Sequence, residues 1–324
     1  MTYEPGYLRL LKEGALHRRV EALMALLHEC RLCRRACGVD RLAGEGGYCG
    51  AGADMEVSSS CVHRGEEPVL TGSTGVGNVF LGRCNLRCVY CQNHTISQPG
   101  PGNAAGWKTG PDELALQLLR FQEQGCPTAG FVSPTHFAPQ IFQAVALAAE
   151  KGFGLPVIYN TGGYDSLELL RLLDGLVDIY LPDIKYSDPS VGGRLSDAPD
   201  YPLTSRRAVR EMYRQVGNLV TDDEGTAVRG LLVRLLVLPG GLSGTEETLE
   251  FLADEIGTEV HISLMSQYYP AHEAAASPPL DRKLEPGEYG SAVKALERLG
   301  FRNGWVQDPV TSPDSYLPGV DFSL

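Results

Sequence analysis

Val79-Phe80-Leu81-Gly82-Arg83-Cys84-Asn85-Leu86-Arg87-Cys88-Val89-Tyr90-Cys91 is the stretch on which the fold and the chemistry turn. An apolar run from Asn78 to Leu81 leads straight into three cysteines within eight residues, spaced by three and then two. It reads as a short buried strand that ends in a loop. Three thiolates hold three irons of a cubane 4Fe–4S cluster, where an ordinary cluster of that kind takes four. The fourth iron is then open to a substrate or cofactor. An open position is also what separates catalytic from structural zinc. Zinc is the rival for short cysteine spacings, with His94 three residues after Cys91 as the fourth ligand. Plain burial of each cysteine as a small hydrophobe is the remaining reading.

The rest of the chain bounds the answer. Its 324 residues are enough for one large α/β domain and a small extension. It is 43% hydrophobic and 21% charged, ordinary for a globular protein. No stretch approaches the roughly 20 apolar residues that span a bilayer, and the N-terminus lacks the two halves of a signal peptide. The expectation is a cytoplasmic protein without a membrane partner. Nine cysteines in such a chain point to metal rather than disulfides. A net charge of −12 argues against a nucleic-acid partner, which would call for a basic surface. Six lysines against 22 arginines, with abundant Ala and Gly, point to a GC-rich source.

Val20, Leu23, Met24 and Leu27 recur at helical spacing. Cys30, Cys33 and Cys37 follow and, after the Gly-rich turn at 44–47, Cys49. From Thr71 the pattern alternates. Strands are predicted over 79–81, 129–132, 155–159, 177–181, 231–238, 260–264 and 304–306. Helices are predicted over 112–124, 138–150, 166–173, 205–216, 245–256 and 286–299. Six or seven β/α units in order predict an α/β barrel with a parallel sheet. No glycine-rich dinucleotide fingerprint follows the first strand, which weakens a nicotinamide fold. Residues 1–70 form a Cys-rich extension and 71–324 the barrel with its tail.

Function in such barrels sits where the strands end. Cys84–Cys91 follow strand one, Ser133-Pro134-Thr135-His136 strand two and Asn160-Thr161-Gly162-Gly163-Tyr164 strand three. Asp183-Ile184-Lys185 follow strand four, Arg234 lies within strand five, and Ser266-Gln267-Tyr268 follow strand six. One rim collects them all. The segment 188–201 and the tail from 308 are expected to close over it.

With these motifs placed, the chain resembles the radical S-adenosylmethionine (SAM) superfamily, in the branch related to pyruvate formate-lyase activating enzyme. The resemblance runs from Cys30 to Trp305. It is carried by GNVFLGRCNLRCVYCQN, FVSPTHF, VIYNTGGYD, VDIYLPDIKY, RGLLVRLLVLPG and SLMSQYYP. It implies a partial, TIM-like barrel of six β/α units. It also implies that Cys84, Cys88 and Cys91 hold a 4Fe–4S cluster whose open iron chelates SAM. An electron from a flavodoxin- or ferredoxin-type donor then cleaves SAM to methionine and a 5′-deoxyadenosyl radical.

By the same resemblance, Tyr90 lies against adenine and the segment after strand two meets the methionine ammonium. Many relatives have Gly-Gly-Glu there. This chain has Ser133-Pro134-Thr135, whose hydroxyls can accept hydrogen bonds. Arg234 aligns with an arginine that pairs with the SAM carboxylate, as its planar fork suits. The alternative is a salt bridge from Arg234 to Asp183 or Asp178. Asp183 and Lys185 match the Asp-x-Lys of the activating enzymes, where the Asp and an Asp-Thr pair hold a monovalent cation. Here that pair is Asn160-Thr161, one charge fewer, and a structural Asp183–Lys185 ion pair is the alternative. Gln267 joins the same cofactor-facing set.

Cys30-x2-Cys33-x3-Cys37-x11-Cys49 supplies four further thiolates, which close either a zinc site or a second 4Fe–4S cluster. Arg- and Gly-rich flanks speak against plain burial, and the iron context favours the cluster. Such a centre relays electrons or anchors substrate. Cys61 is an extra ligand or a hydrogen-atom donor placed over the rim, with a plain packing role as the alternative. Cys126 precedes strand two, at the wrong end of the barrel, and is structural. The function expected is hydrogen abstraction from a carbon of a small molecule, a sugar or natural-product scaffold, with epimerisation as one outcome. A glycyl-radical activase acting on a protein is the alternative, and a zinc-bound interaction module without redox chemistry is a third.

Overall fold

The fold is taken from a computed structural model, which describes residues 3–100 and 102–307. Two helices, α1 (Gly6–Lys12) and α2 (Leu16–Ala25), precede an irregular segment that carries Cys30, Cys33, Cys37 and Cys49. Strand β1 (Met55–His63) follows, then α3 (Pro68–Thr71) and β2 (Val76–Leu81). Next come α4 (His94–Ser97), β3 (Trp107–Thr109), α5 (Pro111–Glu123), β4 (Ala129–Val132) and α6 (Ala138–Glu150). The chain continues through β5 (Val157–Thr161), α7 (Leu167–Leu173), β6 (Ile179–Pro182), α8 (Pro189–Ser196) and α9 (Tyr201–Val216). It closes with β7 (Val220–Thr221), β8 (Ala227–Leu236), α10 (Thr245–Glu255), β9 (His261–Met265), α11 (Pro286–Arg298) and β10 (Gly304–Val306).

The sheet order is β10-β9-β8-β6-β5-β4-β2-β1-β3. From β2 to β10, seven strands lie in chain order and every neighbouring pair is parallel. A sheet that never reverses its winding is the barrel arrangement, not the doubly wound one. Helices α5, α6, α7, α9, α10 and α11 supply the crossovers, which gives six β/α units and a seventh strand, a partial barrel. Every residue of β2 is buried, as expected for a parallel strand covered on both faces. Helix α6 is buried on almost all sides because it lies between α5 and the N-terminal helices.

The expected edges shift where proline or pairing dictates. Pro156 has no N–H to give the ladder, so β5 starts at Val157 rather than 155. Pro202 sits in the first turn of α9, so that helix starts at Tyr201 rather than 205. Strand β8 extends back to Ala227 because β7 forms an antiparallel hairpin with it. The antiparallel strands β1, β3 and β7 have no counterpart in the sequence reading. Strand β1 pairs with β2, and α1 and α2 share the core with α6, so the Cys-rich segment and the barrel bury one continuous apolar cluster. The tail from 308 lies outside the described residues.

Candidate functional site

The strands end on a cavity of about 490 Å³. Cys84, Cys88 and Cys91 line one side of it. Ser133, Thr135, Asn160, Thr161, Asp183, Lys185, Arg234 and Gln267 line the rest, with Tyr90. The cofactor-facing residues expected from the sequence thus line one cavity, whereas His136, Tyr164, Ser266 and Tyr268, also expected at the rim, do not line it. Cys61 does not line it either. It lies on β1, opposite Asn78 of β2, rather than over the rim. Its strand is built into the sheet, and that hydrogen bonding removes the freedom to fold over the site.

The loop of the triplet is fixed from several directions. Arg83, just before Cys84, has φ of +66°, a left-handed conformation that costs a non-glycine residue roughly 1–2 kcal/mol. Its N–H bonds the Ile96 carbonyl (2.7 Å) and its Nε bonds Glu56 Oε1 (2.6 Å), which holds the turn. Val89 N–H donates to the Leu195 carbonyl (2.9 Å), and Glu273 N–H donates to the Val89 carbonyl (2.8 Å). Each thiol has a polar neighbour. Leu86 N–H points at Cys84 Sγ (3.4 Å), Ser196 Oγ donates to Cys88 Sγ (3.0 Å), and Ser97 Oγ lies 3.2 Å from Cys91 Sγ. Ser196 ends α8, so the 188–201 segment does pack against the site.

Burial, and then the neighbouring Cys88, push the Cys84 thiol up to about 12 and raise that of Cys91. Such thiols give up their protons when a metal takes their place. Among the described residues, no three His, Cys, Asp or Glu side chains converge as the ligands of a single ion would. The fit to a cluster therefore rests on the donor set: three thiols close enough to raise one another, bordering a cavity, with N–H and O–H donors aimed at sulfur.

Tyr90 is buried among aromatics, edge-on to Tyr186 (6.4 Å between centroids) and to Tyr268 (6.0 Å). Lys185 Nζ bonds Asp183 Oδ2 (2.8 Å). Burial works most strongly against its charge, but Asp183, Cys88 and Tyr201 together more than offset it, and Lys185 stays protonated well above its ordinary range. Tyr201 fastens this pair in place. It accepts from Lys185 N–H (3.0 Å), and its hydroxyl lies 2.8 Å from the Gly162 carbonyl and 2.9 Å from that of Asp183.

Arg234 is held differently from either partner expected for it. Its Nε and Nη2 bond Glu67 Oε1 (2.8 Å) and Oε2 (2.6 Å), and Nη2 also contacts Glu66. Asp178 is elsewhere, accepting from Tyr3 Oη (2.7 Å), Gly6 N–H (3.0 Å) and Val157 N–H (2.8 Å). Asp183 belongs to Lys185. The sequence signal for the true partners was the pair Glu66-Glu67 ahead of strand one, where nothing local says that α3 brings them under β8.

Asp165 was also missed. It is 2% exposed and accepts from Thr135 Oγ1 (2.8 Å), Thr161 Oγ1 (2.7 Å) and Tyr159 Oη (2.9 Å). Burial raises its carboxyl despite these donors. The Gly162-Gly163 turn makes the arrangement possible. Gly163 has φ of +73°, and a Cβ there would meet the Asp183 carbonyl at 2.9 Å. Thr161 Oγ1 already accepts from Gly163 N–H (3.2 Å), so with both threonine protons directed to Asp165, the lone pairs of Thr135 and the remaining one of Thr161 are left for a donor in the cavity. A carboxylate thus stands behind the two threonine hydroxyls. Ser133 has φ of +58°, a strained backbone of the kind that gathers at binding sites.

The family model of the radical SAM superfamily matches residues 78–214. The superfamily implies a 4Fe–4S cluster and SAM as cofactors, a reductant and a substrate. The uncharacterized protein MJ0674 of Methanocaldococcus jannaschii is 28% identical over 302 residues, 91% of this chain and 82% of that protein. A second from the same organism, MJ0808, is 24% identical over 267 residues, 77% and 73% of the two chains. Among solved structures, HydG, a maturase of the FeFe-hydrogenase, matches with a TM-score of 0.48 and 14% identity, covering 72% of this chain and 52% of that one. Archaeal TYW1 matches with a TM-score of 0.38 and 10% identity, covering 74% and 76%. The barrel assignment rests on the strand order itself.

The four N-terminal cysteines also form a group. Cys30 N–H bonds the Val39 carbonyl (2.9 Å), Gly38 N–H bonds the Cys30 carbonyl (3.1 Å), and Tyr48 N–H points at Cys37 Sγ (3.4 Å). Burial pushes the Cys33 thiol up to about 12, with Cys49, Cys30 and Cys37 adding to it. The group packs on the triplet loop. Arg35 Nε donates to the Asn85 carbonyl (3.1 Å), and Arg35 and Arg87 both cover the Tyr48 ring, at 3.7 and 4.3 Å. Cys126 is buried in the main core, in keeping with a structural role. Among the described residues no helix is long and apolar enough to cross a membrane.

Proposed function

We propose that this protein abstracts a hydrogen atom from a carbon of a small-molecule substrate. The observation that carries the reading is the cavity of about 490 Å³ that joins the three thiols to buried charged and hydroxyl groups. Its size lies within the usual range for small-ligand sites, roughly 300–1,000 Å³. Cys84, Cys88 and Cys91 would hold a 4Fe–4S cluster through three of its irons. When bound, cluster and SAM supply a one-electron reductive cleavage that yields methionine and a 5′-deoxyadenosyl radical.

The chain's own residues position and insulate. Thr135 and Thr161, oriented by Asp165, offer lone pairs to an ammonium. Lys185, kept charged by Asp183, offers a cation to a carboxylate. Arg234 is already occupied by Glu67 and Glu66, so a SAM carboxylate would have to share it. Tyr90 presents an aromatic surface. Ser133, Asn160 and Gln267 add polar contacts that fix orientation. Cys30, Cys33, Cys37 and Cys49 would hold a second metal centre, a 4Fe–4S cluster or zinc, beside the first. A flavodoxin- or ferredoxin-type protein is the reductant in this reading.

The test is anaerobic reconstitution with iron, sulfide, SAM and dithionite. The reading requires 5′-deoxyadenosine, and label moving into it from a deuterated small molecule. Label that comes instead from the glycine of a partner protein would establish the activase reading. A colourless protein that binds zinc and cleaves no SAM would end both.

A further inference from the structure

Ser196, the last residue of α8, is fully buried. A serine in a helix commonly gives its hydroxyl proton to the carbonyl four residues back. Here Oγ instead lies 2.6 Å from Tyr186 Oη and donates to Cys88 Sγ at 3.0 Å. This is the shortest of the donor contacts at the three triplet sulfurs: Ser97 Oγ is 3.2 Å from Cys91 Sγ, and Leu86 N–H is 3.4 Å from Cys84 Sγ. Tyr186 is buried as well, and its ring is held edge-on between Tyr90 and Tyr201, at centroid distances of 6.4 and 5.4 Å.

The backbone holds this hydroxyl against the sulfur from both sides. Val89 N–H donates to the Leu195 carbonyl (2.9 Å), so the residue after Cys88 is bonded to the residue before Ser196. Arg35 Nη2 donates to the Ser196 carbonyl (3.1 Å), its Nη1 contacts the Asp197 carbonyl, and its Nε donates to the Asn85 carbonyl (3.1 Å). A cation on the last carbonyls stabilises a helix C-terminus. The same guanidinium ties that end of α8 to the triplet loop. A metal takes the proton of the Cys88 thiol, and the sulfur can then only accept. That fixes the direction of the chain: Tyr186 donates to Ser196, and Ser196 donates to sulfur. Each bond in such a chain polarises the next.

We propose that Ser196, backed by Tyr186, raises the reduction potential of the metal centre at the triplet by donating a hydrogen bond to the Cys88 sulfur. The proposal rests on the reading of Cys84, Cys88 and Cys91 as ligands of a 4Fe–4S cluster. One electron, from dithionite or from the protein donor, adds one negative charge, part of which falls on the ligand sulfurs. No bond is broken and no proton moves. A hydroxyl proton at sulfur stabilises the reduced form more than the oxidised one, so the electron is accepted more readily. Ser196 acts through Cys88 and touches neither substrate nor iron.

The experiment uses the full chain, reconstituted anaerobically with iron and sulfide and titrated with dithionite and redox mediators. Reduction is followed by electron paramagnetic resonance. The signal of the triplet is the one that Cys84→Ala abolishes, which keeps it apart from any centre at the N-terminal cysteines. In Ser196→Ala the reduction equilibrium is expected to fall about tenfold, a potential about 59 mV more negative for a one-electron couple. Tyr186→Phe leaves the serine in place and should shift the potential in the same sense by less. In D2O, electron–nuclear double resonance should lose one exchangeable-deuteron coupling in Ser196→Ala and keep it in Tyr186→Phe. A serine with only a packing role would leave the couplings unchanged. A potential for Ser196→Ala within twofold of the parent in the equilibrium, about 18 mV, or an unchanged set of couplings, overturns the role of Ser196. If Ser196→Ala takes up no iron, Tyr186→Phe decides: a potential equal to that of the parent overturns the proposal, and a more negative one upholds it. If the parent and Cys84→Ala hold the same iron and give the same spectra, the cluster reading itself is overturned.

Discussion

Arg234→Met isolates the buried charge network at the cavity. Arg234 and Glu66 have side chains 14% and 8% exposed, and Glu67 is 7% exposed. The guanidinium makes two bonds to Glu67 and one contact to Glu66, and Asn78 Nδ2 donates to the other Glu66 oxygen (2.7 Å). Methionine removes the cation and leaves two carboxylates buried. Breaking one partner of such a network costs about 3–5 kcal/mol. Unfolding entropy is about 2.1 cal/mol/K per residue, so 324 residues give about 0.7 kcal/mol per degree and a midpoint lower by about 4–7 °C. The pH dependence should reverse between the two proteins. Burial is the largest effect and raises the Glu67 carboxyl, but Arg234, joined by hydrogen bonds from Ser263 and the backbone, holds it below its ordinary 4.5. The stability from that pair is present above pH 4.5 and is lost as pH falls through the lower folded value. Without Arg234, burial outweighs the remaining bonds from Ser263 and the backbone, so the penalty is full at neutral pH and eases on acidification. The assay is thermal and urea unfolding of both proteins from pH 7 to pH 4. Adding Glu66→Gln and Glu67→Gln to Arg234→Met should restore most of the loss. A penalty below about 1 kcal/mol, or one that the two glutamines do not relieve, refutes the reasoning.

Other outcomes follow from the same geometry. Asp165→Asn replaces a carboxylate oxygen by an NH2 and disturbs the three hydroxyl donors; SAM binding by calorimetry should weaken by about tenfold, roughly the loss of one charged hydrogen bond, while the fold persists. Unchanged affinity would show that Thr135 and Thr161 do not face the cofactor. Asp178 is buried, and burial raises its carboxyl to about 6 from 3.8, so its contribution is largest at low pH and is lost as pH rises through about 6. At this site stability should gain up to about 3 kcal/mol on going from pH 7 to pH 4, and Asp178→Asn should flatten that difference. Cys88→Ala should remove the iron of the triplet and all SAM cleavage, measured as 5′-deoxyadenosine. Cys61→Ser should leave that yield within about twofold, since the residue lies on β1 and not in the cavity.

The triplet, the alternating strands and helices and the rim residues were all legible in the sequence, because each is local. A strand of period-two or continuous apolar residues, a proline in a helix's first turn and a cysteine spacing are written within a dozen residues. The six or seven β/α units read from the sequence become six units and a seventh strand in the structure. What the sequence could not give is which charge meets which. Glu66 and Glu67 lie about 168 residues from Arg234, and Asp165 serves threonines on two different strands. Such pairings depend on how the sheet curls and on which side chains it leaves without water. Burial then makes the choice, since a charge removed from water takes the nearest opposite charge or hydroxyl regardless of chain distance. The same curl placed Cys61 in a strand of the sheet rather than over the cavity. The sequence alone therefore determined the cysteine triplet and the order of strands and helices around it, and the tertiary structure decided how the buried charges are shared.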